Sequence, residues 1–243
     1  MRPSVPDVHI TDASDADFAV YRPFVWQAAA SVLIGIASPA AFLHYGFLFV
    51  PALGAFFGVW ALRRIGKDAT GLSGRKTAWL GTSISLIFLV AAPTDTAAYH
   101  RVLAGEARQF SKLWLQFLTQ GEPQKAYQLT LPPQDRQPFD ARLWDYYRNN
   151  LQQRQHLETY TEQPAVRALL ALGAKVQVRF YQTANVAQEI NGDFVEQWYA
   201  VTYEEEGEKR SFFVRVSVER VRLASGGADW RILQAAVEKP EGA

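Results

Sequence analysis

The sequence has 243 residues, a hydrophobic fraction of 49% and a formal net charge of +1. This charge excludes a strongly basic nucleic-acid-binding protein, and the absence of cysteine excludes disulfides, thiolate metal sites and a cysteine nucleophile. The mean hydropathy of -0.12 is ordinary for a soluble protein, but it averages two unlike regions. Nearly all long apolar runs precede Pro93, and most charged residues follow it.

The first segment, residues 1–22, contains four aspartates and few apolar residues. It lacks the basic start, apolar centre and small-residue cleavage site of a secretory signal, and we expect a disordered tail. From Phe24 to Leu62 the chain has no charged residue. This length fits two membrane crossings of about 20 residues each. His44 to Gly46, with Pro39 and Pro51 nearby, marks the expected break between them.

A third apolar run lies between Lys76 and Pro93. It is near the short end of the range of about 17–25 residues that a span needs, so a buried helix of a soluble protein is the alternative. Three closely spaced apolar runs leave no polar face for water, which favours a membrane region. The sequence therefore predicts a transmembrane α-helical bundle over residues 23–93. Its three spans are predicted at about residues 24–43, 47–62 and 77–92.

The loop between the second and third runs sets the predicted orientation. It carries one acid, Asp68, and five cations: Arg63, Arg64, Lys67, Arg75 and Lys76. Short loops rich in lysine and arginine stay in the cytoplasm. We therefore expect a multi-pass protein of the inner membrane, with this loop and the tail in the cytoplasm. The region after Pro93 is then extracytoplasmic.

Small residues recur four positions apart on two of the predicted spans, as Gly54 with Gly58 and as Gly81 with Ser85. Such pairs let helix backbones approach closely in lipid. We interpret them as packing contacts within the three-helix region, and homodimerisation is the alternative.

The segments around the basic loop carry a recognisable pattern. Residues 58–65 read Gly-Val-Trp-Ala-Leu-Arg-Arg-Ile, and residues 72–81 read Leu-Ser-Gly-Arg-Lys-Thr-Ala-Trp-Leu-Gly. The pattern resembles a small bacterial membrane domain family of unknown function. In that family a glycine-rich helix ends in an Ala-Leu-Arg-Arg-Ile-like segment, and a Gly-Arg-x-x-Ala-x-x-Gly segment opens the helix that follows. The resemblance covers about residues 24–90. It implies a bacterial membrane anchor and brings no catalytic residues.

Residues 97–243 are the predicted α+β domain. Apolar residues recur at helical spacing from Tyr99 to Leu118 and predict an amphipathic helix that ends before Gly121. Further helices are predicted at residues 123–129, 139–156 and 165–172. Gly173 suits the left-handed end of the last one.

Beyond Gly173 the apolar residues alternate, which predicts four β-strands. Turn-forming residues separate them at Asn191-Gly192, Glu206-Gly207 and residues 225–227. Four strands joined by short turns make an antiparallel meander, and its apolar face needs the preceding helices as cover. Four strand arginines are interleaved with acids, and we interpret them as surface ion pairs: Arg215, Arg220, Arg222 and Arg231.

Helices followed by a four-stranded meander resemble the nuclear-transport-factor-like cone shared with ketosteroid isomerases, and the cystatin-like fold has a similar order. The resemblance implies a pocket between the sheet and the helices, a default binding site. Five aromatic residues are candidates for its lining: Trp114, Tyr146, Tyr147, Tyr199 and Trp230. In the alternative interpretation, these side chains fill the core and pair across strands.

No catalytic, cofactor-binding or metal-binding residue is assigned. Asp145 beside Tyr146 has the composition of an isomerase acid/base pair, but adjacent helix residues diverge by about 100°. The four histidines do not cluster in metal-ligand spacing. One hairpin tip carries the glutamates 204, 205, 206 and 208, and we interpret it as a solvated turn rather than a calcium site.

The sequence therefore predicts a membrane-anchored binding or scaffold module that displays an extracytoplasmic α+β domain. The expected partners are the lipid bilayer and either an envelope protein or a second copy of the chain in a homo-oligomer. Nucleic acid is not expected. The alternative is a small-molecule carrier or enzyme that uses a pocket in the C-terminal domain. An enzyme needs convergent polar groups in an open cavity, whereas aromatic residues can fill the interior of a scaffold.

Overall fold

The computed structural model describes residues 26–67, 74–189, 192–223 and 226–240. The chain divides into two compact units, Met1–Thr96 and Ala97–Ala243. Several predictions fall outside the described residues: the tail, the first two residues of the first span, the centre of the basic loop, and the turn residues Asn191 and Ser225.

The first unit contains α1 (Trp26–Ala37), α2 (Phe49–Lys67) and the first part of α3 (Arg75–Thr119). The helix α1 is shorter than the span predicted there, because Pro39 follows and the chain continues as 3-10 turns over Ser38–Phe42 and Tyr45–Leu48. Its 12 residues rise about 18 Å, less than the roughly 30 Å of a bilayer core. Among the described residues, two helices rather than three are long and apolar enough to cross a membrane, Gly46–Lys67 and Arg75–Thr119.

The prediction that Pro93 ends the third apolar helix is wrong. The helix α3 has 45 residues and continues through Pro93, which contributes no backbone N–H to it. Thr94 and Thr96 follow the proline. Their hydroxyl groups donate to the carbonyls of Val90 and Ala92, at 2.7 and 3.1 Å. The helix lacks one backbone hydrogen bond at Pro93 and still continues to Thr119.

Small residues form the contacts among the helices of the first unit. A Cβ atom added to Gly54 would lie 2.2 Å from Ser85 Oγ, and one added to Gly58 would lie 2.0 Å from Thr82 Oγ1. Ser31 Oγ donates to the Gly54 carbonyl at 3.0 Å. The pairs that the sequence singled out, Gly54 with Gly58 and Gly81 with Ser85, thus lie where these helices meet.

The helices of the second unit differ from prediction at one place. Besides the end of α3 it contains α4 (Pro123–Gln128), α5 (Leu143–Asn149), α6 (Leu151–Thr161) and α7 (Pro164–Leu172). The helix predicted over residues 139–156 is therefore two helices, and it begins later than expected. Asn150 is extended and separates them, because its side chain caps α6 by accepting a bond from the Gln153 N–H.

The four strands form the predicted antiparallel meander. They are β1 (Gln177–Gln188), β2 (Gly192–Glu205), β3 (Glu208–Arg222) and β4 (Ala228–Val237), in the order β1-β2-β3-β4. The β2–β3 turn is tight, since Glu206 and Gly207 have φ angles of 53° and 83°. Register shifts bend β1 near Phe180 and Thr183. The prediction of helices followed by a four-stranded antiparallel sheet is confirmed.

One face of the sheet and the helices enclose the core of the second unit. From α3 it contains Leu103, Ala107, Trp114 and Leu118, and from the sheet it contains Val195, Val201, Val214, Val216, Val218 and Ile232. Polar contacts fix α3 on the sheet, since Gln197 is fully buried and donates to the Ala104 carbonyl at 2.9 Å. The strand β4 is attached to the helices where Ile232 N–H donates to the Leu129 carbonyl at 2.9 Å.

Candidate binding groove

The aromatic residues predicted to line one pocket are held by separate core contacts. Trp114 is fully buried and its Nε1–H donates to Tyr160 Oη at 2.8 Å. Tyr147 Oη accepts a bond from Gln128 Nε2 at 2.5 Å. Tyr146 is half-buried, and its ring centroid lies 5.4 Å from that of Tyr147.

The two remaining candidates lie on the sheet. Trp230 Nε1–H donates to Glu106 Oε2 at 3.3 Å, and Tyr199 Oη donates to Gln197 Oε1 at 2.8 Å. Trp114 and Tyr199 border two different cavities. The five aromatic side chains therefore do not converge on a common pocket, and most of them serve the core.

A larger concave surface lies between α3 and β1. It has a volume of about 910 Å³, and we call it the α3–β1 groove. Its α3 side is formed by Gly105, Arg108, Gln109, Lys112, Leu115, Gln116 and Thr119, and its sheet side by Val176, Val178, Arg179, Phe180 and Tyr199. The spacing of Arg108, Lys112, Leu115 and Thr119 places them along one helix face. Alternation along the start of β1 places Val176, Val178 and Phe180 on one side of the strand.

The floor of the groove is apolar and aromatic. Val176, Val178 and Phe180 are half-buried, and the guanidinium carbon of Arg108 lies 4.3 Å from the centroid of the Phe180 ring. The Phe180 ring packs in turn against Tyr199, with centroids 5.8 Å apart. A cation over an aromatic face is attracted by the ring quadrupole, so Arg108 has a defined place at the groove wall.

Every charged side chain that lines the groove is a cation. Arg108 and Lys112 are exposed on α3, and among the described residues neither lies within 4.0 Å of a carboxylate oxygen. Arg179 borders the groove through its position in β1, but its side chain alternates to the other side of the strand from Val178 and Phe180, where its guanidinium donates to Gln177 Oε1 at 3.2 Å. Three of the strand arginines instead have acidic partners, as the sequence predicted: Arg215 with Glu238 at 3.2 Å, Arg220 with Glu106 at 3.5 Å, and Arg231 with Glu219 at 2.5 Å. The α3–β1 groove therefore carries free positive charge.

This arrangement suits recognition of carboxylate or phosphate groups. Guanidinium groups bind such anions through two parallel N–H bonds, and a lysine adds a mobile point charge. The apolar floor lowers the local dielectric constant, which strengthens each of these contacts relative to open solvent. A ligand that carries negative charges on a chain with some apolar surface matches the groove best.

Two smaller cavities carry less excess positive charge. One, of about 500 Å³, is lined by Tyr99, Asp193, Arg220 and Arg222 among others. In it Tyr99 Oη donates to Asp193 Oδ2 at 2.9 Å, and burial followed by the nearby Asp193 raises the pKa of Tyr99. The other, of about 530 Å³, is lined mainly by neutral side chains, and its Arg231 is paired with Glu219. Within the described ranges, no three His, Asp or Glu side chains come together as metal ligands.

Two buried tyrosines predict a pH dependence. Burial raises the pKa of Tyr147 and of Tyr199 to about 12. The folded state therefore keeps both protons at pH values where the unfolded chain, with phenol pKa near 10, has lost them. We expect their contribution to the free energy of unfolding to be complete below about pH 10 and to fall between about pH 10 and 12.

Absorbance at 295 nm, followed against pH, measures this titration. In Tyr147→Phe and Tyr199→Phe the late step should lose amplitude. Ionisation of all described tyrosines in one step near pH 10, without unfolding, would contradict the burial assigned to Tyr147 and Tyr199.

Comparisons with known proteins give little further information. No protein-family model matches the sequence, and no curated protein matches it either. The resemblance of residues 58–81 to a bacterial membrane domain family therefore stays a prediction. One solved structure is similar, an NTF2-like protein with a cystatin-like fold from Novosphingobium aromaticivorans. The two chains are 16% identical with a TM-score of 0.36, and the match covers 62% of this chain and 91% of that one. The likeness is weak, and the fold of the C-terminal region rests on the helices and strands described above.

Proposed function

We propose that this protein is a membrane-anchored binding module. Its first unit anchors the chain in a lipid bilayer, and its second unit displays the α3–β1 groove on the extracytoplasmic side. The groove binds an acidic segment of an envelope partner. The observation that carries this proposal is the concave surface with an apolar floor and two exposed cations, Arg108 and Lys112, free of acidic partners among the described residues.

The membrane anchor is supported by the distribution of side chains in the first unit. Its buried positions include polar or small residues such as Ser31, Ala61, Thr82 and Ser85. Its large apolar side chains point outward instead: those with the highest exposures include Leu33, Ile36, Leu43, Phe56, Ile87 and Val90. A water-soluble unit buries such side chains because of the hydrophobic effect. Hydrocarbon removes this cost, and small residues then allow the helices to pack closely.

Three tryptophans near the basic loop support a membrane–water interface at this end of the first unit. Trp26, Trp60 and Trp79 are all exposed. Gly58 packs on Thr82, so Trp60 and Trp79 lie at similar levels of their helices, and Phe57 lies 6.1 Å from both Trp26 and Trp60 between ring centroids. Tryptophan favours the membrane–water interface, and basic loops favour its cytoplasmic side. The same end of the unit has both features.

Binding of an acidic peptide tests the role of the groove. We expect a fluorescent deca-glutamate peptide to bind the detergent-solubilised full chain, and to bind less tightly as salt is raised. In Arg108→Glu with Lys112→Glu, repulsion replaces attraction at two contacts. We expect affinity to fall by about 10-fold or more, since each charge contact is worth about 1 kcal/mol or more. Fluorescence anisotropy measures the change.

The matched control keeps the change in net charge but moves it elsewhere. Arg148→Glu with Arg167→Glu alters two exposed arginines on α5 and α7. We expect this variant to bind the peptide within about twofold of the native chain, allowing for screened long-range charge. Equal losses in the two double variants would show only nonspecific attraction and would contradict a binding site in the groove.

A further inference from the structure

The domain also carries a surface of opposite charge to the groove. We define the acidic tip as residues 204–208 at the β2–β3 turn, where Glu204, Glu205, Glu206 and Glu208 are all exposed. Glu205 is paired with Arg210 at 2.7 Å. Within the described part of the chain, the other three glutamates have no lysine, arginine or histidine nitrogen within 4.0 Å. The tip thus presents free negative charge on a narrow turn.

The register of the sheet places the acidic tip beside one end of the groove. Gln177 pairs with Thr202 in the β1–β2 ladder, so the groove residue Val176 lies near Tyr203, directly before the tip. Thr119 marks the same end on the helical side, since an added Cβ on Gly173 would lie 4.0 Å from its carbonyl oxygen. Glu206 lies six residues beyond Ala200, which pairs with Arg179 of β1. At about 3.3 Å per residue, the tip therefore extends about 20 Å along the strand from the level of Arg179.

We infer that the occupant of the α3–β1 groove is the acidic tip of a second copy of this chain. The tip brings carboxylates to Arg108 and Lys112, and Tyr203 and Phe212 at its base bring apolar surface to the apolar floor of the groove. Tyr203 and Phe212 are half-buried, with ring centroids 6.1 Å apart. This inference rests on the proposed function, because it assigns the partner of the same groove.

In a two-fold symmetric dimer, the tip and the groove of each copy both find a partner. Because the tip and the groove end are adjacent on one domain, a two-fold axis near Val176 and Tyr203 lets each copy insert its tip into the groove of the other. Such an isologous contact closes as a dimer and forms both charged contacts at once. Anchoring in one membrane raises the effective concentration of the copies, so a modest affinity per contact suffices.

Charge reversal of the tip and of the groove tests the inference. The tip variant is Glu204→Lys, Glu206→Lys and Glu208→Lys; the groove variant is Arg108→Glu with Lys112→Glu. Full-length chains labelled with donor or acceptor fluorophores are reconstituted in neutral phosphatidylcholine vesicles, and energy transfer gives the dimer fraction. We expect each variant alone to show about a tenfold weaker association than the native chain, because like charges then face each other in both contacts.

An equal mixture of the two variants gives the decisive result. Each contact in the mixed pair again joins opposite charges, so we expect energy transfer between unlike variants to return to the native level. A control with Arg148→Glu and Arg167→Glu should associate like the native chain. Native-like association of the tip variant, failure of the mixture to restore transfer, or a monomeric native chain at all surface densities would each overturn the inference. If the groove variant loses the deca-glutamate peptide while dimerisation ignores the tip, the proposed function stands and this inference falls.

Discussion

Replacing Gly81 by alanine is expected to destabilise the packing of the first unit by about 2–3 kcal/mol, near the upper end for overpacked sites. The added Cβ would lie 2.7 Å from the Ser31 carbonyl carbon and 2.8 Å from the Val32 nitrogen. These are backbone atoms of α1, which cannot rotate away, so the helices must separate. At Gly58 the nearest obstacle is the Thr82 hydroxyl, a side-chain atom, and we expect Gly58→Ala to have a smaller effect.

Thermal unfolding of the detergent-solubilised chain, followed by size-exclusion chromatography, measures the effect of Gly81→Ala. The matched control is Gly66→Ala near the end of α2, where an added Cβ meets nothing within 4 Å. Alanine there should be neutral or slightly stabilising, because it has the higher helix propensity. Unfolding temperatures for Gly81→Ala equal to those of Gly66→Ala would contradict the close contact between α1 and α3.

Replacing Arg136 by methionine should destabilise the second unit by about 3 kcal/mol, since a largely buried charge holds three acceptors there. Its side chain is 11% exposed and lies on the loop before α5. The guanidinium donates to the Leu131 carbonyl at 3.2 Å, to Asp229 Oδ2 at 2.9 Å and to the Trp230 carbonyl. It also lies over the Phe110 ring. Methionine keeps much of the packing and removes every donor.

Chemical unfolding of the full chain, followed by circular dichroism of the sheet, measures this loss. Arg154→Met is the control, because Arg154 pairs with Glu158 at 3.4 Å in an exposed helical pair. Such pairs contribute about 0.5 kcal/mol or less. A loss for Arg136→Met no larger than that for Arg154→Met would show that the loop is not held to β4 by this side chain.

The sheet was predictable from the sequence because its signals are local. Alternating apolar residues and turn residues such as Glu206-Gly207 specify strands and hairpins over short distances. The predicted helix bounds were wrong where local sequence rules compete with the surrounding structure. Pro93 is a helix breaker by propensity, yet α3 continues through it, and Asn150 divides a periodic segment because its side chain caps the next helix.

The groove was not predictable in the same way. Arg108 and Lys112 are four residues apart on α3, which places them on one helix face, but the floor residues Val178 and Phe180 belong to a strand far along the chain. Only the tertiary fold brings the two cations over this floor. The sequence suggested aromatic residues as the lining of a pocket, yet side chains such as Trp114 and Tyr147 form hydrogen bonds inside the core. The groove is marked by cations that have no acidic partner in its lining. Whether a cation has such a partner depends on the tertiary fold, and sequence patterns do not show it.

Membrane topology tests the central claim most directly, and the absence of native cysteine makes the measurement clean. Single cysteines are introduced as Ala69→Cys in the basic loop and Lys209→Cys beside the acidic tip, and intact cells are treated with a membrane-impermeant maleimide. A membrane-anchored module with an extracytoplasmic groove predicts labelling of Lys209→Cys in intact cells, and of Ala69→Cys only after permeabilisation. Protection of both cysteines until permeabilisation, or recovery of the chain in the soluble fraction, would contradict it.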